Sequence, residues 1–144
     1  MVLRAHGRKA EDANDLRTWL TTLEGCPRVT DTLVLTCAQH GDERPTWNYV
    51  EADPAAGVAR RRCLACGFAV SVLDSNARWT FPPMWSCGSC GHSIAEVAAG
   101  LSAPESDAVE WVVLGARCVE CGDVEGLTDV VVPGLPLSEV VAAL

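Results

Sequence analysis

Four short motifs of one design recur along the chain, and they constrain its fold more than any other feature. Cys63/Cys66, Cys87/Cys90 and Cys118/Cys121 are CxxC pairs, and Cys37/His40 is a CxxH pair. Each is followed at once by glycine, in CAQHG, CLACG, CGSCG and CVECG, where the glycines are Gly41, Gly67, Gly91 and Gly122. Two ligands three residues apart on a tight turn point at one ion. Backbone N–H groups of such a turn point at the ligand sulphur, and the residue after the second ligand often needs a positive φ, which glycine adopts without steric cost. Eight cysteines in 144 residues would read as disulfide partners in a secreted chain. Here the stretch 1–24 is rich in charge and has no apolar centre, so no signal peptide is expected. A cytoplasmic location is expected instead, where thiols stay reduced and cysteines at this spacing serve as metal ligands.

Four knuckles supply eight ligands, enough for two four-coordinate sites. Taken in order, Cys37, His40, Cys63 and Cys66 form site 1, and Cys87, Cys90, Cys118 and Cys121 form site 2. Cys₃His and Cys₄ are common ligand sets for structural zinc, whose sites are closed. Two Zn²⁺ ions are the expected cofactors. The competing arrangement joins Cys63/Cys66 to Cys87/Cys90, and the competing ligand is Cys26 in place of His40. Sequential spacing weighs against the first, and the CxxH spacing with Gly41 against the second. Cys26, between Gly25 and Pro27, otherwise reads as a small buried apolar residue. His6 reads as part of a mobile N-terminus and His92 as a surface histidine. A redox role for one CxxC needs a strand before it and a helix opening at it, which four knuckles in series do not suit.

The spacers between knuckles, 41–62 and 91–117, are each long enough for a strand, a turn and a returning strand. The pattern resembles the zinc-ribbon family, in tandem over residues 33–132. That resemblance implies metal-stabilised antiparallel β-structure and says almost nothing of function, since zinc ribbons serve unrelated roles. The double CxxCG of site 2 also resembles rubredoxin, which would make it a one-iron electron carrier. His40 argues against iron in site 1, and ligand softness alone does not separate zinc from iron in site 2.

The expected fold is a small α+β structure: two zinc ribbons with an N-terminal helix, a short helix inserted in the second ribbon, and a C-terminal helix. Its segments are 1–30 (helix and lead-in), 31–78 (ribbon 1), 79–86 (linker), 87–132 (ribbon 2) and 133–144 (final helix). In the first helix, over 10–24, Leu16, Trp19, Leu20 and Leu23 make one apolar stripe, which packs on the first ribbon or turns Trp19 to a partner. Strands are expected at 31–36, 47–50, 58–62, 68–72, 109–114 and 127–132, the last ended by Pro133-Gly134. Ser93-Ile94-Ala95-Glu96 reads as a capping box opening a helix over 94–101. That octapeptide, IAEVAAGL, resembles LSEVVAAL at 137–144, where Pro136 opens the last helix. The linker WTFPPMW carries Trp79, Phe81 and Trp85. Its prolines exclude a helix interior and a central strand. The aromatics either plug the junction between ribbons or form a patch for a partner.

No catalytic constellation stands out, because every well-spaced Cys and His pair is taken by a closed site. The chain is expected not to be an enzyme. Its net charge of −8 makes it a poor general binder of phosphate backbones or anionic membranes. Ten of its eleven cationic residues are arginine, a skew that suggests a GC-rich bacterial genome. The leading functional expectation is an adaptor that binds another protein, of unspecified identity, through Trp19, Trp79, Phe81 or Trp85. The alternative is a transcription- or translation-associated factor that grips nucleic acid with Arg60, Arg61 and Arg62. An iron electron carrier or a metal sensor is a further reading.

Overall fold

The computed structural model describes residues 4–40, 45–105 and 107–144, with side chains from Lys9 onward. It contains strands β1 (Arg4–Lys9), β2 (Asp31–Val34), β3 (Asn48–Asp53), β4 (Val58–Cys63), β5 (Ala69–Ser71), β6 (Ala95–Ser102), β7 (Ala108–Cys118) and β8 (Asp123–Pro136), and helices α1 (Ala13–Leu20) and α2 (Leu137–Ala142). All the strands join one antiparallel sheet in the order β1-β8-β7-β6-β3-β4-β5, and β2 also pairs with β6. The expected α+β fold of two ribbons with three helices is thereby corrected to a mostly antiparallel sheet with two small helices. Strands from 31–78 and from 87–132 hydrogen-bond to each other, β2 to β6 from Asp31↔Leu101 to Val34↔Ala98, and β3 to β6 at Asn48↔Ala95.

The helix expected over 94–101 is the strand β6, and its burial explains why. All eight of its residues are buried. Val97, Ala99 and Leu101 face a core shared with Val50, Val112, Leu114, Leu127 and Val140. Ala98 faces the other way, under α1 and beside Trp111 and Val113. Helix propensity is a weak prior, of at most about 1 kcal/mol per ordinary residue, and burial on two faces outweighs it. Glu96 does not close a capping box. It reaches across the β6–β7 ladder, where it lies opposite Arg117, and accepts from Arg117 Nη1 at 2.6 Å. With both side chains largely buried, the pair neutralises two charges that would otherwise be costly to desolvate.

Helix α1 forms within the span its stripe predicts but covers only Ala13–Leu20, leaving Leu23 beyond its end, and it packs on β6 and β7, from the stretch expected to form the second ribbon, as well as on β2. The Asp12 carboxylate accepts from the Asp15 N–H at 2.8 Å, and Leu16, Trp19 and Leu20 are buried against β6 and β7. Trp19 is therefore a core residue. The N-terminal stretch around His6, expected to be mobile, forms the edge strand β1 paired with β8; the His6 side chain lies outside the described residues. β8 does not end at Val132 but runs on to Pro136, with Gly134 at φ +75°. The sheet coils until the β3–β4 turn reaches β8: Thr128 Oγ1 donates to the Asp53 carbonyl at 3.0 Å. Among the described residues, no helix is long and apolar enough to cross a membrane.

Gly115 is where α1 seats on the sheet. A Cβ there would lie 3.0 Å from Leu20, 3.3 Å from Leu16 and 3.4 Å from Trp19. Gly115→Val places further methyl groups into that contact, and overpacking of this kind costs about 1–3 kcal/mol. Urea unfolding of the variant is expected to show a lower midpoint; an unchanged midpoint would mean that α1 does not pack as described.

Candidate metal centres

The four knuckles lie at one end of the sheet. Cys63 pairs with Asn48, Asn48 with Ala95, and Ala95 with Cys118, so one row of residues crosses β4, β3, β6 and β7 with a ligand at each end. Three strand spacings of about 4.8 Å put these two cysteines roughly 14 Å apart. Cys37 lies just beyond β2, Cys87 and Cys90 precede β6, and Cys121 lies in the turn from β7 to β8.

The ligand atoms of Cys37, His40, Cys63 and Cys66 all lie within 4.8 Å of one another, as do those of Cys87, Cys90, Cys118 and Cys121. These are the two sequential sets, and each can hold a metal ion. Cys26 belongs to neither; it packs half-buried beneath α1. Within the clusters Cys37 and Cys66 sulphurs are 3.7 Å apart, Cys87 and Cys121 3.6 Å, and Cys90 and Cys118 3.5 Å. A disulfide would need about 2.05 Å. Four sulphurs held about 2.3 Å from a tetrahedral ion are separated by about 3.8 Å, close to the observed spacing.

Local backbone geometry sets these positions. Gly67, Gly91 and Gly122 have φ of +75°, +80° and +79°. Their N–H groups donate to the carbonyls of Cys63, Cys87 and Cys118 at 2.8, 2.9 and 2.8 Å and close the turns. The first knuckle closes from His40 N–H to the Cys37 carbonyl at 3.1 Å; Gly41 lies outside the described residues. N–H groups also point at sulphur: those of Cys66 and Ala65 at Cys63, those of Cys90 and Ser89 at Cys87, and those of Cys121 and Glu120 at Cys118.

The thiols of site 2 perturb one another strongly. Burial pushes the Cys118 thiol up to about 12. For Cys121, burial is outweighed by the Asp123 N–H and by the Cys87, Cys90 and Cys118 thiols, and its pKa falls to about 7. In site 1, burial of Cys63 is likewise overcome by the Cys66 and Ala65 N–H groups and by the neighbouring thiols, and its pKa is lowered. Four thiols this close cannot all ionise without a cation between them, which is the electrostatic character of a metal site.

The three consecutive arginines separate. Arg60 makes a bidentate pair with Glu51, at 2.9–3.1 Å, and its Cζ lies 4.5 Å from the centre of the Trp79 ring. Arg61 is buried and donates to the carbonyls of Leu144 at 2.8 Å and Thr36 at 3.1 Å. Burial lowers its pKa, opposed by Cys37 and Cys63, so the guanidinium sits beside the sulphurs of site 1. Only Arg62 is exposed, and it donates to the Gly67 carbonyl at 3.1 Å. Of the linker aromatics, Trp79 and Trp85 are half-buried, and the Trp85 indole N–H donates to Glu125. Phe81 is 84% exposed.

Sequence reasoning missed two features. Asn48 is fully buried midway along the row between the sites, and its amide donates to the carbonyls of Thr46 at 3.0 Å and Ala95 at 3.2 Å. Nothing in its local sequence marks it. Trp47, Leu64 and Phe68 are exposed around site 1. Trp47 and Leu64 line a hollow of about 780 Å³ with His40 and Pro45. Leu64 at a knuckle tip and Phe68 directly after Gly67 were the available signal. Comparison of the chain with protein-family models, curated proteins and solved structures finds no match in any of the three.

Cys63→Ser and Cys118→Ser are each expected to cost one equivalent of bound metal and to lower the melting temperature. A variant with unchanged metal content and melting would remove that residue from its ligand set. Because Cys118 is protonated at neutral pH and must ionise to bind a cation, metal loading is expected to release protons, and affinity is expected to fall as pH falls. An indicator dye in weak buffer reads the release directly.

Proposed function

We propose that this chain is a non-enzymatic zinc protein in which two structural Zn²⁺ ions stiffen a sheet that binds another protein. The observation that carries the metal half is the sulphur spacing of 3.5–3.7 Å together with N–H groups aimed at the sulphurs. Each cluster supplies four protein ligands, and a tetrahedral ion so held has no position left for water or substrate, which supports a structural role over a catalytic one. The knuckles are those of zinc ribbons, although the strands that carry them belong to one shared sheet.

The adaptor half is supported by the distribution of side chains. Trp47, Phe68, Phe81 and Met84 are exposed among the described residues and leave apolar surface open to a partner. Nucleic-acid binding draws little support, because Arg60 is spent on Glu51 and Trp79 and Arg61 on backbone carbonyls. Four thiolates with N–H···S bonds would also suit iron in site 2, so the metal needs direct measurement.

Elemental analysis of the purified protein is expected to give two zinc ions per chain with no visible absorption; a coloured, iron-containing preparation would favour the electron-carrier reading. Capture from the native host with and without nuclease is expected to retain a defined protein partner in both cases. Loss of every partner on nuclease treatment would overturn the adaptor reading.

A further inference from the structure

We propose that the two metal centres have different tasks: site 2 is a permanent structural centre, whereas site 1 is exchangeable, and its ion clamps β3, β4 and β5 to the rest of the sheet. This rests on the reading of both clusters as zinc sites and gives each a role.

The strands beneath the clusters differ. The knuckles of site 2 flank one continuous ladder. Cys87 and Cys90 lead into β6, Cys118 ends β7, and eight register pairs run between these strands from Ala95↔Cys118 onward. The Val119 N–H extends the ladder to the Ile94 carbonyl at 3.1 Å, and the Cys87 N–H donates to the His92 carbonyl at 2.7 Å. A side-chain bond also joins the two knuckles directly. Ser89, between Cys87 and Cys90, donates from Oγ to Asp123 Oδ2 at 2.6 Å. Asp123 follows the other knuckle closely and is 5% exposed, so the acceptor is shielded from competing water. Contacts within the protein therefore hold the four sulphurs of site 2 around one point before an ion arrives, and preorganisation of this kind favours tight binding.

Site 1 spans a seam. Cys37 and His40 follow β2, and Cys63 and Cys66 lie at the end of β4 and in the turn after it. Among the described residues β2 and β4 do not pair. β2 and β3 attach along the same side of β6, and β3 does so through one register pair, Asn48↔Ala95. Side chains carry further links near the cluster. The Asn48 amide donates to the carbonyls of Thr46 and Ala95, Thr46 Oγ1 accepts from the Cys37 N–H at 2.7 Å, and Arg61 Nη1 donates to the Thr36 carbonyl at 3.1 Å. Separate bonds open locally more readily than a ladder whose members break together. Exposure adds to the contrast. His40 and Cys66 of site 1 are both exposed, whereas in site 2 Cys90 is exposed and Cys121 half-buried. A competing ligand in solution therefore meets more of site 1.

The test challenges the full-length, zinc-loaded chain with EDTA and follows it by native mass spectrometry and hydrogen exchange. Two ions before the challenge satisfy the reading on which the proposal rests; fewer would overturn both. The expected result is stepwise loss, with the first ion leaving on the order of tenfold faster than the second. In the one-ion species, amides of β3–β5 are expected to exchange faster while those of β6–β8 stay protected, which identifies site 1 as the emptied centre. Site 1 also has one thiolate fewer, and His40→Cys removes that difference. The order is expected to survive in His40→Cys, because the strand layout sets it. Ser89→Ala is expected to speed loss from site 2 about tenfold and to leave site 1 unchanged. Loss of both ions together, site 2 emptied first, an order abolished by His40→Cys, or a site 2 indifferent to Ser89→Ala would each overturn the proposal and leave the zinc reading standing.

Discussion

The pairing of β6 with β7 is the interaction on which the rest of the structure depends. Eight consecutive register pairs join these strands, from Ala95↔Cys118 to Ser102↔Trp111. β2 and β3 both attach to the free side of β6, and β8 attaches to the free side of β7. Side chains from one face of the pair build the larger core, and those from the other face receive α1. Small residues make this two-sided burial workable. Ala98, Gly100 and Gly115 leave room for α1 and for Val29 and Val113, where larger side chains would hold the layers apart.

Metal bound by the two Cys/His clusters would add what this sheet lacks. A chain of this size buries only about two thirds of its unfolded surface, and much of the core here is Ala and Val, with modest apolar area per residue. Structural zinc contributes about 10–16 kcal/mol of apparent binding free energy per ion, comparable with the whole stability of a typical domain at about 5–15 kcal/mol. Both clusters sit where strands give way to turns, at the same end of the sheet. They tie Cys37 beyond β2 to the β4–β5 turn, and the stretch before β6 to the β7–β8 turn.

The features legible in the sequence were those set by local geometry. A knuckle is a turn of a few residues with its own hydrogen bonds, so its spacing and its glycine can be read without knowing the fold. The stripe of α1 and the alternation of Val109, Trp111 and Val113 were legible for the same reason. β6 was not, because its capping-box pattern and helix-forming alanines are local signals, and partners far along the chain overrode them. The comparison with 137–144 is instructive. The two octapeptides look alike, yet 137–142 is helical with Val140 buried and Val141 exposed, whereas the other is a strand from Ala95 onward, flanked by strands and buried on both faces. The three arginines show a similar limit. Their spacing announces a cationic cluster, but strand alternation sends neighbours to opposite faces, and only the fold reveals Glu51, Trp79 and Thr36 as their partners.

The pairing of β1 with β8 has a consequence for how the chain is made. Arg4 meets Glu125 and Lys9 meets Asp123, so β1 finds its partner only across a long stretch of intervening chain that is made after it. The ligands of site 1 all lie within residues 37–66, so that cluster closes a far shorter loop than the one between β1 and β8. Closing the long loop between β1 and β8 is the slow kind of event, in which entropy is lost before contacts are gained. Until that loop closes, the backbone donors and acceptors of β1 and of the facing edge of β8 are unclaimed, which is the condition under which strands misassociate.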